Sequence, residues 1–428
     1  MKKKEEKIKD ILKEVLEEIT PSKQELDEIK FELSNFLKKL TSSIKNSKIN
    51  AEIFVGGSFA KNTFIRKGHY DIDIFLRFDK KYKEEEISNL TEKSLKIFKN
   101  VLKIHGSRDY FKIKIKPSLF FEIIPVIKIN HHKDSKNTTD LSYLHVKYTS
   151  KKIISKKILD EIKISKAFCY ANNCYGAESY IRGFSGYALE LLVYYYGSFI
   201  NFAKAISEAK KEKIIVDIEK DYKNKRDILM NLNSSKLQSP IILIDPVHKQ
   251  RNALAALSEE KFEVFRREAA KFLKNPSKKS FEIKKEDIQQ SEINAKKKKH
   301  DFVLVTIKTD RQEGDIAGSK LLKFHNHLTS EIKRFFDIKD LWFEYDGEKT
   351  ARCFFAVTRK KEVIHNGPDI RDKENLKSFK REHKKTFIKN NKIYAKEKIN
   401  FNIKQFIRLW SEKNSKKLNE MSIKSLDF

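Results

Sequence analysis

Three acidic side chains and one glycine turn could do chemistry in this sequence. Gly56-Gly57-Ser58 is followed, after twelve residues, by Asp71-Ile72-Asp73. In a strand, residues i and i+2 point to one face, so Asp71 and Asp73 project side by side while Ile72 points to the core. Two adjacent carboxylates repel unless a cation bridges them. Hard oxygen donors of this kind suit Mg²⁺, which keeps waters and substrate phosphates as its other ligands. The Gly57-Ser58 turn offers close backbone approach, free N–H groups and a hydroxyl, a combination able to hold a triphosphate. A third carboxylate, Glu122, lies in the run FFEIIPV on the face opposite to Phe121 and Ile123. Where that strand neighbours the aspartate strand, Asp71, Asp73 and Glu122 converge, and such a triad can hold two Mg²⁺ about 3.5–4 Å apart. One ion would lower the pKa of an attacking hydroxyl, and the other would bind the triphosphate and neutralise leaving pyrophosphate. That is nucleotidyl-transfer chemistry. Each piece alone has a plainer reading: a solvated strand face, an ordinary turn, an edge-strand charge. Their order and spacing together favour the functional one.

The elements that must position these residues follow from periodicity. Ile8, Ile11, Leu12, Val15, Leu16 and Ile19 mark one helix face, and Pro21 breaks it. Thr20 is the expected cap of a second helix carrying Leu26, Ile29, Leu33, Phe36, Leu37 and Leu40. From 49 to 130 the period changes to two. Strands are expected at 51–55, 71–78, 110–116 and 119–129, with a helix through Ile87, Leu90, Leu95, Phe98, Val101 and Leu102. Helical runs at 156–171 and 185–211 follow, then a strand at 241–245 ending in Pro246 and a helix from about 250 to 274. Asn275-Pro276-Ser277 and Lys296–Lys299 read as a linker or exposed turn. Strands at 302–308 and 352–358 should flank a helix at 318–336, and basic helical segments should close the chain.

Composition bounds the rest. At 428 residues with 39% hydrophobic content, the chain has room for several cores and is not a disordered tract. Scarce Gly (12) and Pro (7) exclude collagen-like and low-complexity classes. No apolar run reaches 18 residues, so no transmembrane helix is expected, and Met1 to Asp10 lacks the apolar core of a secretory signal. Three cysteines make no disulfide framework and point to a reducing, cytoplasmic compartment. Lys+Arg exceeds Asp+Glu by 91 to 60, a net charge of +31 that attracts polyanions. The excess is mostly lysine, which AT-rich coding also produces, so charge alone does not name a partner.

At the Gly-Gly-Ser and Asp-x-Asp residues the chain resembles the DNA polymerase β-like nucleotidyltransferase superfamily. Two later segments, YGAESYIRGFSGYALELLVYYYGSF at 175–199 and IDPVHKQRNALAALS at 244–258, resemble the archaeal class I CCA-adding enzymes. HNGPDIRDKENLKSFKREH at 365–383 is similar to that family's Gly-Pro segment. The resemblance runs from about residue 30 to 270, and with the last segment it covers most of the chain. It implies an α+β multidomain fold: a polymerase β-like head of mixed sheet and helices at 1–150, a helical neck at 151–240, an α/β body at 241–295 plus about 385–428, and a tail at 296–384 that holds tRNA. It implies addition or repair of the 3′-terminal CCA of tRNA from CTP and ATP, without a nucleic-acid template, with two Mg²⁺. Oligonucleotide or cyclic-nucleotide synthases, poly(A) polymerases and inactive tRNA-binding relatives are the alternatives.

By the same match, Asp71, Asp73 and Glu122 are metal ligands, with Glu122 standing where the family usually has Asp. Gly57, Ser58 and Lys61 would meet the triphosphate, Lys61 replacing the usual arginine and its bidentate fork. His145, Lys166 and Tyr175 match further nucleotide contacts. Arg251 matches the arginine that reads the base edge, and it is expected in the helix after Pro246. Each has a bland alternative: His145 as a partly buried polar residue, Lys166 as a solvated helix lysine, Tyr175 as packing, Arg251 as a cap. Arginine offers donors and no acceptor, which suits O2/N3 of cytosine and N1 of adenine and disfavours the N–H edges of guanine and uracil. Lys296–Lys299, Lys360, Lys361, Lys384 and Lys385 would meet the phosphates of an acceptor stem and T-arm, by shape rather than sequence. The resemblance also admits a homodimer. Cys169 and Cys174 read as small core residues rather than zinc ligands.

Overall fold

The computed structural model describes residues 2–106, 108–209 and 212–428. The chain divides into two compact units, Met1–Lys284 and Lys285–Phe428. In the first, helices α1 (Lys2–Ile19) and α2 (Lys23–Asn46) are separated at Pro21 and serve different cores. The cap of α2 is Ser22, not Thr20. Ser22 Oγ accepts from Glu25 N at 3.2 Å, and Ser22 N donates to the Glu25 carboxylate at 2.7 Å. Thr20 lies two residues too early to reach those groups and turns its hydroxyl back to the Leu16 carbonyl at 2.6 Å.

Five strands follow: β1 (Ala51–Val55), β2 (Tyr70–Phe78), β3 (Val101–Ile104), β4 (Tyr110–Lys116) and β5 (Leu119–Ile127). A short helix α3 (Gly57–Ala60) joins β1 to β2, and α4 (Glu84–Leu95) joins β2 to β3. The sheet order is β1-β2-β5-β4-β3, with β2 and β5 parallel and the other neighbours antiparallel. Ile72, Ile74, Phe121 and Ile123 are fully buried and pack against Leu33, Phe36 and Leu40 of α2. The α4 helix stops earlier than expected. Asn100 adopts φ 56°, which turns the chain so that Val101 and Leu102 enter β3 instead.

The second core of this unit gathers α1, α6 (Lys156–Ala171), α7 (Gly186–Tyr196), α8 (Phe199–Ser207), β7 (Ile241–Asp245) and α10 (Glu259–Lys274). Helix α5 (Ser142–Lys152) precedes α6; strand β6 (Ile214–Val216) and helix α9 (Lys225–Asn231) lie between α8 and β7. Gly197, at φ 78°, splits the expected run 185–211, and Ser198 caps α8 by accepting from Asn201 N at 3.1 Å. No helix begins at 250. The chain turns through Pro246 into strand β8 (His248–Asn252), and α10 starts at Glu259 behind its cap Ser258. Buried Asn252 makes that hairpin, its side-chain oxygen accepting from Leu243 N at 3.0 Å and Leu254 N at 2.9 Å.

The second unit contains α11 (Ile288–Lys297), β9 (Asp301–Thr309), α12 (Asp315–Phe335), β10 (Phe336–Tyr345), β11 (Thr350–Arg359), β12 (Glu362–Asp369), α13 (Lys373–Glu382), β13 (Thr386–Lys389), β14 (Lys392–Lys398), α14 (Ile403–Lys413), α15 (Ser415–Glu420) and β15 (Ile423–Asp427). Antiparallel sheet β10-β11-β9-β15 carries α12 and α14 on its core, and β12-β14-β13 forms a second sheet. Strand β10 escapes a period-two reading because a bulge between Ile338 and Asp340 shifts its register. The closing segment, expected to be helical, also holds β12–β15. Among the described residues no helix is long and apolar enough to cross a membrane.

Candidate active site

Strand β2 presents Asp71 and Asp73 on one face, with Ile72 buried between them. The parallel register sets Asp73 directly beside Glu122 of β5. Gly57 lies against this pair at φ 62°, and a Cβ there would stand 1.7 Å from Asp73 Oδ2. The turn is tied to the strand by Gly56 N, which donates to the Asp73 carbonyl at 2.9 Å. Two cations and an imidazole surround Asp71: Lys67 at 3.3 Å, Lys112 at 3.2 Å and His69, whose pKa burial lowers, at 3.2 Å. The Lys112 ammonium also lies 3.2 Å from Glu122.

This arrangement separates the three acids electrostatically. Burial raises Asp71, but Lys67, Lys112 and His69 outweigh it and hold the carboxyl below its usual range. Asp73 is pushed up by burial, against the pull of Lys61. Glu122 is pushed up to about 7 by burial and by the Asp73 carboxylate beside it. Among the described residues no three acidic, histidine or cysteine side chains already close on one point. The donor set still fits a hard divalent cation. It is all oxygen, and two of its carboxyls are raised by burial that only a positive charge relieves.

Lys61 and Lys166 meet on one buried acid that sequence reasoning missed. Glu190 of α7 is 1% exposed; its oxygens lie 2.6 Å from Lys61 Nζ and 2.9 Å from Lys166 Nζ. Thr63 donates to the same carboxylate at 2.8 Å, and Lys166 donates to the Thr63 hydroxyl at 2.7 Å. Burial opposes the Glu190 charge, but the two ammonium groups win and hold its pKa at about 2. Lys166 is thus no solvated helix lysine: it is 2% exposed, and burial lowers its pKa against the pull of Glu190. Two cations share one anion, so the cluster keeps a positive charge beside Asp73. In the sequence, Glu190 stands inside the apolar run Ala188–Val193, and the Gly57–Lys61 turn that supplies its partner lies far away in the chain.

His145 and Arg251 likewise converge on a residue that was not singled out. Asp245, at the end of β7, is fully buried; it accepts from Arg251 Nη1 at 2.7 Å, Tyr187 OH at 2.9 Å and Val247 N at 3.0 Å. His145 Nε2 lies 3.0 Å from it, and the His145 ring stacks on Tyr187 at 4.0 Å. Burial lowers the His145 pKa, and the opposing pull of Asp245 does not overcome it. Arg251 sits on β8 rather than on a helix, because the hairpin at Pro246 replaces the expected helical start. It lines a cavity of about 430 Å³ with Asn137, Ser185, Lys236 and His248. Helix α5, which carries His145, packs against both α3 and α7, so the two clusters are neighbours. Tyr175 stacks on Tyr170 at 4.1 Å, and its hydroxyl fills the space a Cβ at Gly186 would need. Cys169 and Cys174 are fully buried.

Two family models cover this unit: a nucleotidyltransferase domain at 32–169 and the second domain of tRNA nucleotidyltransferases at 160–282. The CCA-adding enzyme of Nanoarchaeum equitans is 35% identical over 79% of this chain and 81% of its own length. The chain belongs to the CCA-adding enzyme family. The family's members from Pyrobaculum aerophilum (32% identical, 85% of this chain, 83% of theirs) and Methanocaldococcus jannaschii (29%, 91% and 87%) match over similar spans. A solved structure of the Cid1 poly(U) polymerase covers 64% of this chain and 98% of its own, with 14% identity and a TM-score of 0.50, a likeness of fold alone. The family's enzymes are nucleotidyltransferases, so the chain is one too, and the expected α+β fold with a polymerase β-like sheet is the one observed.

Proposed function

We propose that this chain completes or repairs the 3′-terminal CCA of tRNA from CTP and ATP without a nucleic-acid template, as a cytoplasmic enzyme. The placement of Asp73 beside Glu122, with Lys61 and Lys166 gathered next to them, carries the reading. Asp71, Asp73 and Glu122 would hold two Mg²⁺, which when bound supply charge to activate a hydroxyl and to neutralise pyrophosphate. Gly57 and Ser58 offer backbone and hydroxyl donors to the triphosphate, Lys61 offers its ammonium group, and buried Lys166, bonded to Glu190 and Thr63, takes part through the charge of the cluster. The 3′-hydroxyl of the tRNA releases its proton to solvent as its oxygen bonds to the α-phosphorus, the α–β phosphoanhydride bond breaks, and pyrophosphate leaves with the electron pair. Buried Glu190 holds both lysine side chains in place before the nucleotide arrives, so the site does little reorganisation during reaction.

Arg251 directs donors at the base edge, and His145 and Tyr175 flank the nucleotide from α5 and the segment before α7. In this reading residues 1–150 do the chemistry and 151–240 complete the nucleotide site. The body (241–295 plus 385–428) supplies Arg251, and the lysines of 296–384 with Lys384 and Lys385 hold tRNA phosphates. Replacing Asp73 tests it. Asp73→Ala lowers the transfer rate by a factor on the order of 10³ or more, because a charge in contact with the reacting centre is lost. Its affinity for tRNA lacking CCA stays within about twofold of wild type, since non-specific phosphate contacts carry that binding. Equal activity in variant and wild type would sink the proposal.

A further inference from the structure

We propose that Asp245 sets the choice of nucleotide by fixing the direction of the Arg251 fork. The proposal rests on the reading that Arg251 faces the base. A guanidinium on a flexible three-carbon stem is a promiscuous donor, because it can swing toward any carbonyl that a wrong base presents. Uracil and guanine carry such carbonyls beside their N–H groups. A donor discriminates only when it cannot move: it then meets N3 of cytosine or N1 of adenine, and a wrong base leaves donor facing donor.

Asp245 supplies that restraint. Its Oδ2 takes Arg251 Nη1 at 2.7 Å, while the side chain of Arg251 keeps a quarter of its surface open toward the cavity. The carboxylate itself cannot rotate. Tyr187 OH holds Oδ1 at 2.9 Å, Val247 N holds the same oxygen at 3.0 Å, and His145 Nε2 meets Oδ2 at 3.0 Å. His145 and Tyr187 are in turn stacked face to face. Asp245 is fully buried and so positions Arg251 without offering a surface to the nucleotide. It acts through the arginine, and its removal is felt as lost discrimination rather than lost chemistry.

The experiment uses the full chain and two tRNA transcripts, one lacking CCA and one ending in CC. On the first, kcat/KM is measured for CTP and UTP; on the second, for ATP and GTP. Asp245→Asn keeps the shape and removes the charge, and both discrimination ratios fall by about tenfold or more. A proportional loss for all four nucleotides, with ratios unchanged, marks a structural acid and overturns the proposal. Arg251→Ala alone tests the underlying reading: ratios intact in that variant defeat base reading by Arg251, whatever Asp245 does. With Arg251→Ala lowering the ratios, adding Asp245→Asn leaves them no lower, and a further fall would show a route that bypasses the arginine and overturn the proposal. Should Asp245→Asn fail to fold, Tyr187→Phe keeps the ring stack and removes one of the two donors to Oδ1, lowering the ratios about threefold; wild-type ratios in that variant overturn it.

Discussion

Glu190 holds Lys61 and Lys166 in place, and its electrostatics give a prediction with a definite sign. Its folded pKa of about 2 lies below the ordinary 4.5, so its contribution to stability is present above 4.5 and is lost as pH falls through 2. For Lys166 burial penalises the charge and wins, and the Glu190 carboxylate offsets only part of that penalty. Glu190→Gln takes from two buried ammonium groups the carboxylate that both contact, leaving only Asp73 nearby, which costs about 3–5 kcal/mol. Denaturant unfolding from about pH 6 to pH 2 checks this: the variant is less stable at pH 6 and loses less stability on acidification than the wild type, whose other lowered carboxyls, Glu25 and Asp71 among them, keep part of the acid limb in both. An unchanged acid limb would contradict the pairing. The same variant raises the KM for CTP, because lysines that repel no longer sit side by side.

Where the elements meet, Gly57 is the tightest joint. Its φ of 62° and the 1.7 Å separation between a built Cβ and Asp73 Oδ2 mean that alanine both strains the turn and displaces the acid. Gly57→Ala lowers transfer about 100-fold, the scale of a 1 Å misplacement, and costs about 1–2 kcal/mol of stability. Gly68→Ala, with nothing within 4 Å of its Cβ, serves as the comparison and changes neither. Activity at the wild-type level in Gly57→Ala would show that the turn does not set the acid. The strand side of this joint was legible in the sequence, because a strand's period of two fixes where Asp71, Ile72 and Asp73 point, whereas the contact of Gly57 with Asp73 was not. Strand β8 was not. Its residues HKQRN show no alternation of apolar and polar, and what makes it a strand is Asn252 bonding across the hairpin. The same blindness hid Glu190 and Asp245, since an acid inside an apolar run declares its purpose only when its partners arrive from distant segments.

For the whole molecule, the first unit alone holds every residue assigned to the chemistry, from Gly57 to Arg251, while the second unit carries lysine-rich helices and two antiparallel sheets. The mixed α+β architecture was readable from alternating periods. The second unit was read less well, since β10 is bulged and β12–β14 are short, charged and half exposed. A net charge of +31 acquires meaning only beside the catalytic strands, which give the polyanion a reaction to undergo. The most direct measurement therefore uses a tRNA transcript lacking its CCA end, with the protein, Mg²⁺ and labelled nucleotides singly and in pairs, sized on a sequencing gel. Growth by two residues with CTP alone and by three with CTP plus ATP, then arrest, is the expected result. A long ladder of A residues, nucleotide-only products, or no extension under any combination would contradict it.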